Sequence, residues 1–314
     1  DGEEYPVLGI LDSGIASNSY IGPWLKGQRW SPYIDQDLDP SHGTFVAGVA
    51  LYGDEMEGKT WVGGVNPRVI DAAVFPAAGV DEDELVDNID RAMKLYSHEV
   101  KVWNLSISID REIRDDEFSD FAAALDEIQD RYGVLICKSA GNCTNFCGNE
   151  EKGRLSCGAD SVRALTVGSV AHAKGPFDAA EVGEASPFSR KGPGPEYIIK
   201  PEVCHYGGNA GIGPFEKISQ TGVRSFTVDG GVMEAAGTSF STPRVATLAA
   251  NLASTIDGDF DPLLIKAMII HSATFPGDAL VPNDSKVDKM GFGIPGGVAD
   301  MLSDNPCLLY TSPS

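Results

Sequence analysis

The chain has 314 residues, 42% of them hydrophobic and 22% charged, with a formal net charge of −22. This is the composition of a globular protein long enough for one large domain or two ordinary ones, and it excludes a disordered chain. No apolar run reaches the roughly 18 residues a transmembrane helix needs, and the acidity argues against a nucleic-acid partner, because phosphate binding wants a basic face. The acidity reads first as a means to solubility, and only secondarily as a long-range field favouring basic or neutral peptides. The chain opens at Asp1 rather than Met, so any leader or pro-segment is expected upstream.

In chain order, strand-like apolar runs alternate with helical patterns, which predicts a parallel sheet covered on both faces. The expected strands are Val7–Leu11, Val69–Phe75, Val100–Ile107, Val134–Lys138 and Ala164–Val170. Between the second and third, Leu85, Ile89 and Met93 recur every four residues behind an acidic first turn, which predicts a crossover helix. The next helix carries Phe118, Phe121, Ala122, Leu125 and Ile128 on one side and stops at Gly133. Residues 171–235 are rich in Gly, Pro and Ser and predict loops with short strands such as Tyr197–Ile199 and Ser225–Val228, not a second domain. Two helices follow, Ser241–Ser254, apolar almost all round, and Asp261–Ser272.

Six cysteines, at 137, 143, 147, 157, 204 and 307, leave a local disulfide and reduced thiols both open, and the redox compartment with them. Cys143 and Cys147 lack the tight C-x-x-C spacing usual at zinc, so no metal ligand is assigned.

Four short segments carry chemistry. In Gly237-Thr238-Ser239-Phe240-Ser241-Thr242-Pro243, a serine opens a helix, where free N–H groups face any anion that forms on its substrate. Pro243 fits a first turn, where no N–H is needed. In Ser41-His42-Gly43-Thr44, a histidine opens a helix of small residues able to pack closely. Asp12 ends the first strand just before a glycine turn, where open α/β sheets place ligand groups. Asn142, in Ser139-Ala140-Gly141-Asn142 after the fourth strand, has a side-chain amide that could donate to an oxyanion. Each alone has a bland counterpart: a helix cap, a lone His or a turn residue. Together they supply a nucleophile, a base, an orienting acid and an oxyanion donor, in the order Asp, His, Asn, Ser.

On these residues the chain resembles the subtilases, the subtilisin-like serine peptidases, from about Val7 to Gly297. Trp103-Asn104-Leu105-Ser106-Ile107-Ser108 is similar to the family strand that pairs with substrate. Thr166–Val170, Lys200-Pro201-Glu202-Val203 and Gly291-Phe292-Gly293 are similar to further family segments. The resemblance implies a three-layer, doubly wound α/β sandwich with a mostly parallel central sheet, forming one domain over 1–306; residues 307–314 fit no element and are expected to be a non-native or disordered tail. It also implies a serine endopeptidase with the triad Asp12, His42 and Ser239, and Asn142 in the oxyanion hole. Its polypeptide substrate would lie extended along Asn104, Leu105, Ser106, Ile107 and Ser108 and beside Ser139, Ala140 and Gly141. The chain departs from the family at Phe45 and Arg244, where relatives often carry His, and at Ser108, where the usual residue is Gly. Ser108 would line the pocket for the side chain preceding the scissile bond. The chemistry needs no cofactor. Structural calcium near the insertion Tyr52–Trp61 would draw on Asp54, Glu55 and Glu57, which do not make a convincing ligand set. A monomer without membrane or nucleic-acid partners is expected, with a bacterial cytoplasm slightly favoured over secretion. A non-catalytic binding module on this fold, or an esterase or amidase using the same triad, are the alternatives.

Overall fold

The structure is a computed structural model that describes residues 5–148, 152–276 and 284–303. Six parallel strands form the central sheet: β1 (Val7–Asp12), β2 (Arg68–Ala73), β3 (Val102–Leu105), β4 (Leu135–Ser139), β5 (Leu165–Val170) and β6 (Val203–Tyr206), in the spatial order β2-β1-β3-β4-β5-β6. The reversal of chain order at β1 and β3 makes the sheet doubly wound. Strand ends on either side of such a reversal leave a crevice at the carboxyl edge, where open α/β sheets hold their ligands.

Alternate side chains of each strand feed two cores. One face packs on α1 (Ser41–Glu57), α4 (Thr238–Thr255) and α5 (Pro262–Ser272), joining Leu8, Ile10, Leu135 and Val167 to Val46, Val245, Ala249 and Ile269. The other packs on α2 (Glu82–Tyr96) and α3 (Asp120–Tyr132), joining Trp103, Leu105 and Ile136 to Leu85, Ile89, Phe121 and Leu125. The helices begin where the residue chemistry dictates. Asp81 accepts from Glu84 N at 2.9 Å, Ser119 accepts from Ala122 N at 3.2 Å, and α3 ends at Gly133 with φ 59°.

Several expected bounds move. β3 ends at Leu105 rather than Ile107, because Ser106–Ser108 leave the sheet to line a cleft. α4 starts at Thr238 rather than Ser241, which places Pro243 inside the helix rather than in its first turn. The expected strand Tyr197–Ile199 is instead reached through a tight 3-10 turn, Pro195–Tyr197. Within 171–235 two hairpins form, β7 (Asn209–Ile212) with β8 (Ile218–Thr221) and β9 (Val223–Phe226) with β10 (Val232–Ala235). Cys137, Cys143, Cys147, Cys157 and Cys204 are thiols, and burial pushes those of Cys137 and Cys204 well up from the usual range. Cys307 and the tail at 307–314 lie outside the described residues. Among the described residues no helix is long and apolar enough to cross a membrane.

Candidate active site

Asp12 is the last residue of β1 and only 2% exposed. His42 is the second residue of α1, whose first turn is tied by Asp39 Oδ1 accepting from Ser41 N at 3.0 Å. The helix can lie against the end of β1 because residue 43 is glycine: a Cβ there would stand 2.3 Å from Gly14 O. That approach sets His42 Nδ1 2.9 Å from Asp12 Oδ1 and 3.0 Å from Oδ2. Asp12 Oδ1 also accepts from Ser13 N at 2.8 Å, which fixes the carboxylate plane. A carboxylate cannot donate, so Nδ1 carries the proton and Nε2 is left as the base. The Asp12 charge raises the His42 pKa above the ordinary imidazole value, against a lowering by burial.

Ser239, 7% exposed, stands in the first turn of α4. Its hydroxyl donates to Ser106 O at 3.0 Å rather than to His42. Its backbone carbonyl accepts from Ser106 Oγ, also at 3.0 Å. Pro243 explains the second bond. A helix carbonyl normally accepts from the N–H four residues on; proline has none, so Ser239 O is open to Ser106. Ser106 Oγ in turn accepts from Asn104 Nδ2 at 2.9 Å. The Ser239 backbone is thus pinned to the end of β3 while its side chain keeps a rotation about Cα–Cβ.

Asn142 follows β4 and is exposed. Its Oδ1 accepts from Thr238 N at 2.9 Å and Thr238 Oγ1 at 3.1 Å. With the oxygen engaged, Nδ2 is the amide atom left to donate. Thr238 Oγ1 also accepts from Gly141 N at 3.2 Å, so one threonine locks the serine helix to the Asn142 loop. Sequence reasoning passes over Thr238, whose only signal is its place beside the serine.

Asp12, His42, Asn142 and Ser239 share a cleft of about 380 Å³ whose other walls include Asp39, Phe75, Ser106, Ile107 and Ser108. Of the residues expected along the substrate, Asn104 and Leu105 do not reach it. Both are fully buried in β3, where the sheet's own ladder uses their backbones, and Asn104 acts instead on Ser106. Ser139 and Ala140 are also fully buried, and Gly141 lies behind Asn142. The departures from family pattern are structural. Phe45 packs on Phe240 with ring centroids 4.4 Å apart, and Phe240 lies 5.8 Å from the His42 ring. Arg244 is buried over the Trp61 ring at 4.9 Å, with Nε donating to Tyr206 O.

Of the carboxylates near the Tyr52–Trp61 insertion, Asp54 and Glu57 are already engaged by the protein. Asp54 Oδ2 accepts from Val62 N at 2.9 Å and Gly63 N at 3.0 Å, and Glu57 Oε1 from Arg224 N at 2.8 Å. Among the described residues no group of three or more His, Cys, Asp or Glu is arranged to hold a metal.

Comparison with known proteins shows the family and the fold. The subtilase family model matches residues 4–293. The protease domain of PatA, solved as a point mutant, superposes over 100% of both chains with TM-score 0.66 at 18% identity. The prenylagaramide maturation protease PagA covers 96% of this chain and 93% of its own, with TM-score 0.64 at 20% identity. A protease from Pseudoalteromonas arctica PAMC 21717 covers 94% and 89%, with TM-score 0.66 at 18% identity. At such identities the likeness shows the fold. By sequence, the protein y4bN of Sinorhizobium fredii (strain NBRC 101917 / NGR234) is 30% identical over 200 residues, 51% of this chain and 44% of that protein, so the match spans less than half of the relative's length. A family match across nearly the whole chain, on an architecture shared end to end with solved subtilisin-like proteases, leads to one conclusion: this chain belongs to the subtilase family.

Proposed function

We propose that the chain is an endopeptidase that cuts polypeptides through an acyl-enzyme, with Asp12, His42 and Ser239 as its triad. The observation that carries this is the His42–Asp12 pair at 2.9 Å, open at Nε2 to the cleft that holds Ser239 and Asn142. Rotation about Cα–Cβ turns the Ser239 hydroxyl from Ser106 O toward His42. Oγ then bonds to the substrate carbonyl carbon as its proton passes to Nε2, and the imidazolium is stabilised by Asp12. Asn142 Nδ2 and the Ser239 N–H receive the oxyanion. His42 returns the proton to the leaving nitrogen as the C–N bond breaks, and water repeats the sequence to free the acid. The substrate lies extended along Ser106–Ser108, past the end of β3, where the backbone is no longer consumed by the sheet. No resident metal or cofactor takes part, and one copy of the chain supplies every group named.

A fluorophosphonate probe should label the wild type and not Ser239→Ala, and casein hydrolysis should follow the label. Full casein hydrolysis by Ser239→Ala would refute the proposal. Ester turnover without casein or peptide cleavage would favour a small-molecule esterase on the same triad.

A further inference from the structure

Lys138 lies in β4 and is fully buried. Its ammonium donates to Ile107 O at 2.7 Å, Ser139 O at 3.0 Å and Ser139 Oγ at 3.4 Å. All three partners are neutral oxygens. The carboxylate acting on it, Asp160, is engaged by Ser119 N, Ser119 Oγ and Gly158 N. Burial lowers the Lys138 pKa to about 7, against a raising by the Asp160 charge. Ser139 Oγ stands 3.5 Å from the hydroxyl of Ser108, an exposed residue on the cleft wall. The oxygens of Ser108 and Ser139 therefore form a polar ladder from the cleft down to a buried charge.

The position of this ladder follows from the site. The carbonyl to be attacked must lie between Ser239 Oγ, seated on Ser106, and Asn142, which follows Ser139–Gly141. The residue bearing that carbonyl thus has its side chain beside Ser106–Ser108, with the buried Ser139 behind Ser108. We infer that this slot selects an acidic side chain before the scissile bond, its carboxylate received by the exposed Ser108 hydroxyl, which the buried Ser139 Oγ links to Lys138 behind it. This rests on the protease reading above and specifies its substrate. The net charge of −22 opposes it only at range. Exposed charges are screened beyond about 8–10 Å, whereas a buried cation within two hydrogen bonds acts at short range through a dielectric well below that of water.

The test uses two peptides that differ only in Glu or Gln before the scissile bond, together with a cleavage-site library. Wild type should show kcat/KM about 10- to 100-fold higher for Glu, the scale of a hydrogen bond to a charged group. Lys138→Met should bring the Glu/Gln ratio towards one by lowering kcat/KM more for the Glu peptide than for the Gln peptide, a change that a merely structural lysine would not produce. Should that variant fail to fold, Ser108→Ala, at an exposed position, should also lower the ratio. A wild-type ratio at or below one, a library dominated by aromatic or basic residues before the cut, or an unchanged ratio in either variant would overturn the inference while Ser239 still labels and cleaves. Absence of both labelling and cleavage would remove the protease reading, and this inference with it.

Discussion

Lys138 and Lys200 are both withdrawn from water, at 0% and 1% exposure, yet the fold treats their charges differently. Lys200 Nζ meets Glu202 Oε1 at 2.7 Å, and Lys266 reaches the same oxygen at 2.6 Å. Thr166 N donates to the other Glu202 oxygen at 2.8 Å. Burial pushes Glu202 up, but the two lysines more than offset it and leave its pKa lowered. Burial brings Lys200 down to about 8. There the charges close on one another and join β6 to β5 and α5. Lys138 is given only neutral oxygens, and it sits under the catalytic cleft. A buried charge that is fully paired serves the fold; one left partly unpaired beside a cleft serves a ligand.

Perturbations should separate the two regions, with cleft changes reducing turnover and cluster changes reducing stability. The largest effect is expected at the nucleophile or base. Ser239→Ala or His42→Ala should lower kcat by about a millionfold, the scale known for subtilisin, a relative, with the melting temperature of Ser239→Ala little changed. Asp12→Asn should cost about 10⁴-fold in kcat. It should also move the acid limb of kcat/KM to lower pH. The sign follows from His42: Asp12 raises its pKa, neutral imidazole is the active form, and wild-type activity is lost as pH falls through a value above the ordinary 6.5.

On the cluster side, Glu202→Ala should leave the buried Lys200 and the half-buried Lys266 without a counter-ion and destabilise the fold by about 3–5 kcal/mol, read by denaturant titration. Because Glu202 is lowered in the folded state, its contribution is present above the unfolded carboxylate pKa and is lost as pH falls through the folded value. Melting curves from neutral to acid pH should show the wild type losing that margin and the variant having none to lose. Asn142→Leu should cost about a hundred- to a thousandfold in kcat, roughly 3–4 kcal/mol, with little change in KM. The smallest effect is expected at Ser106→Ala, about 1–3 kcal/mol, because the tie to Ser239 O and the acceptor of the buried Asn104 amide are removed while the Ser106 carbonyl remains. A fall in melting temperature without any fall in kcat would place Ser106 with the cluster rather than the cleft.

Five of the six sheet strands and the helices α2 to α5 are readable from periodicity, because each buries a regular pattern. β6 is visible only as the family segment ending in Val203; at four residues its pattern is too short to read. Tyr197–Ile199 misleads because Pro195 opens a tight turn that the β-favouring residues after it do not reveal. Asp12, His42, Asn142 and Ser239 are legible because their chemistry requires those residue types at element ends. Asn104 and Leu105 read as substrate contacts because neither residue type shows where the sheet stops using the backbone.

By itself, then, the order of residues determined the layers, the strand sequence and the four polar groups of the site, since these depend on local period and residue type. Tertiary structure alone decided the rest. It freed Ser239 O through Pro243 and delivered it to Ser106, turned Asn142 by way of Thr238, and set Lys138 under Ser108 and Ser139. Each of these is a contact between segments distant in the chain. Hydrogen bonds are short-ranged and directional, so no linear pattern carries them until the sheet has brought the partners within reach.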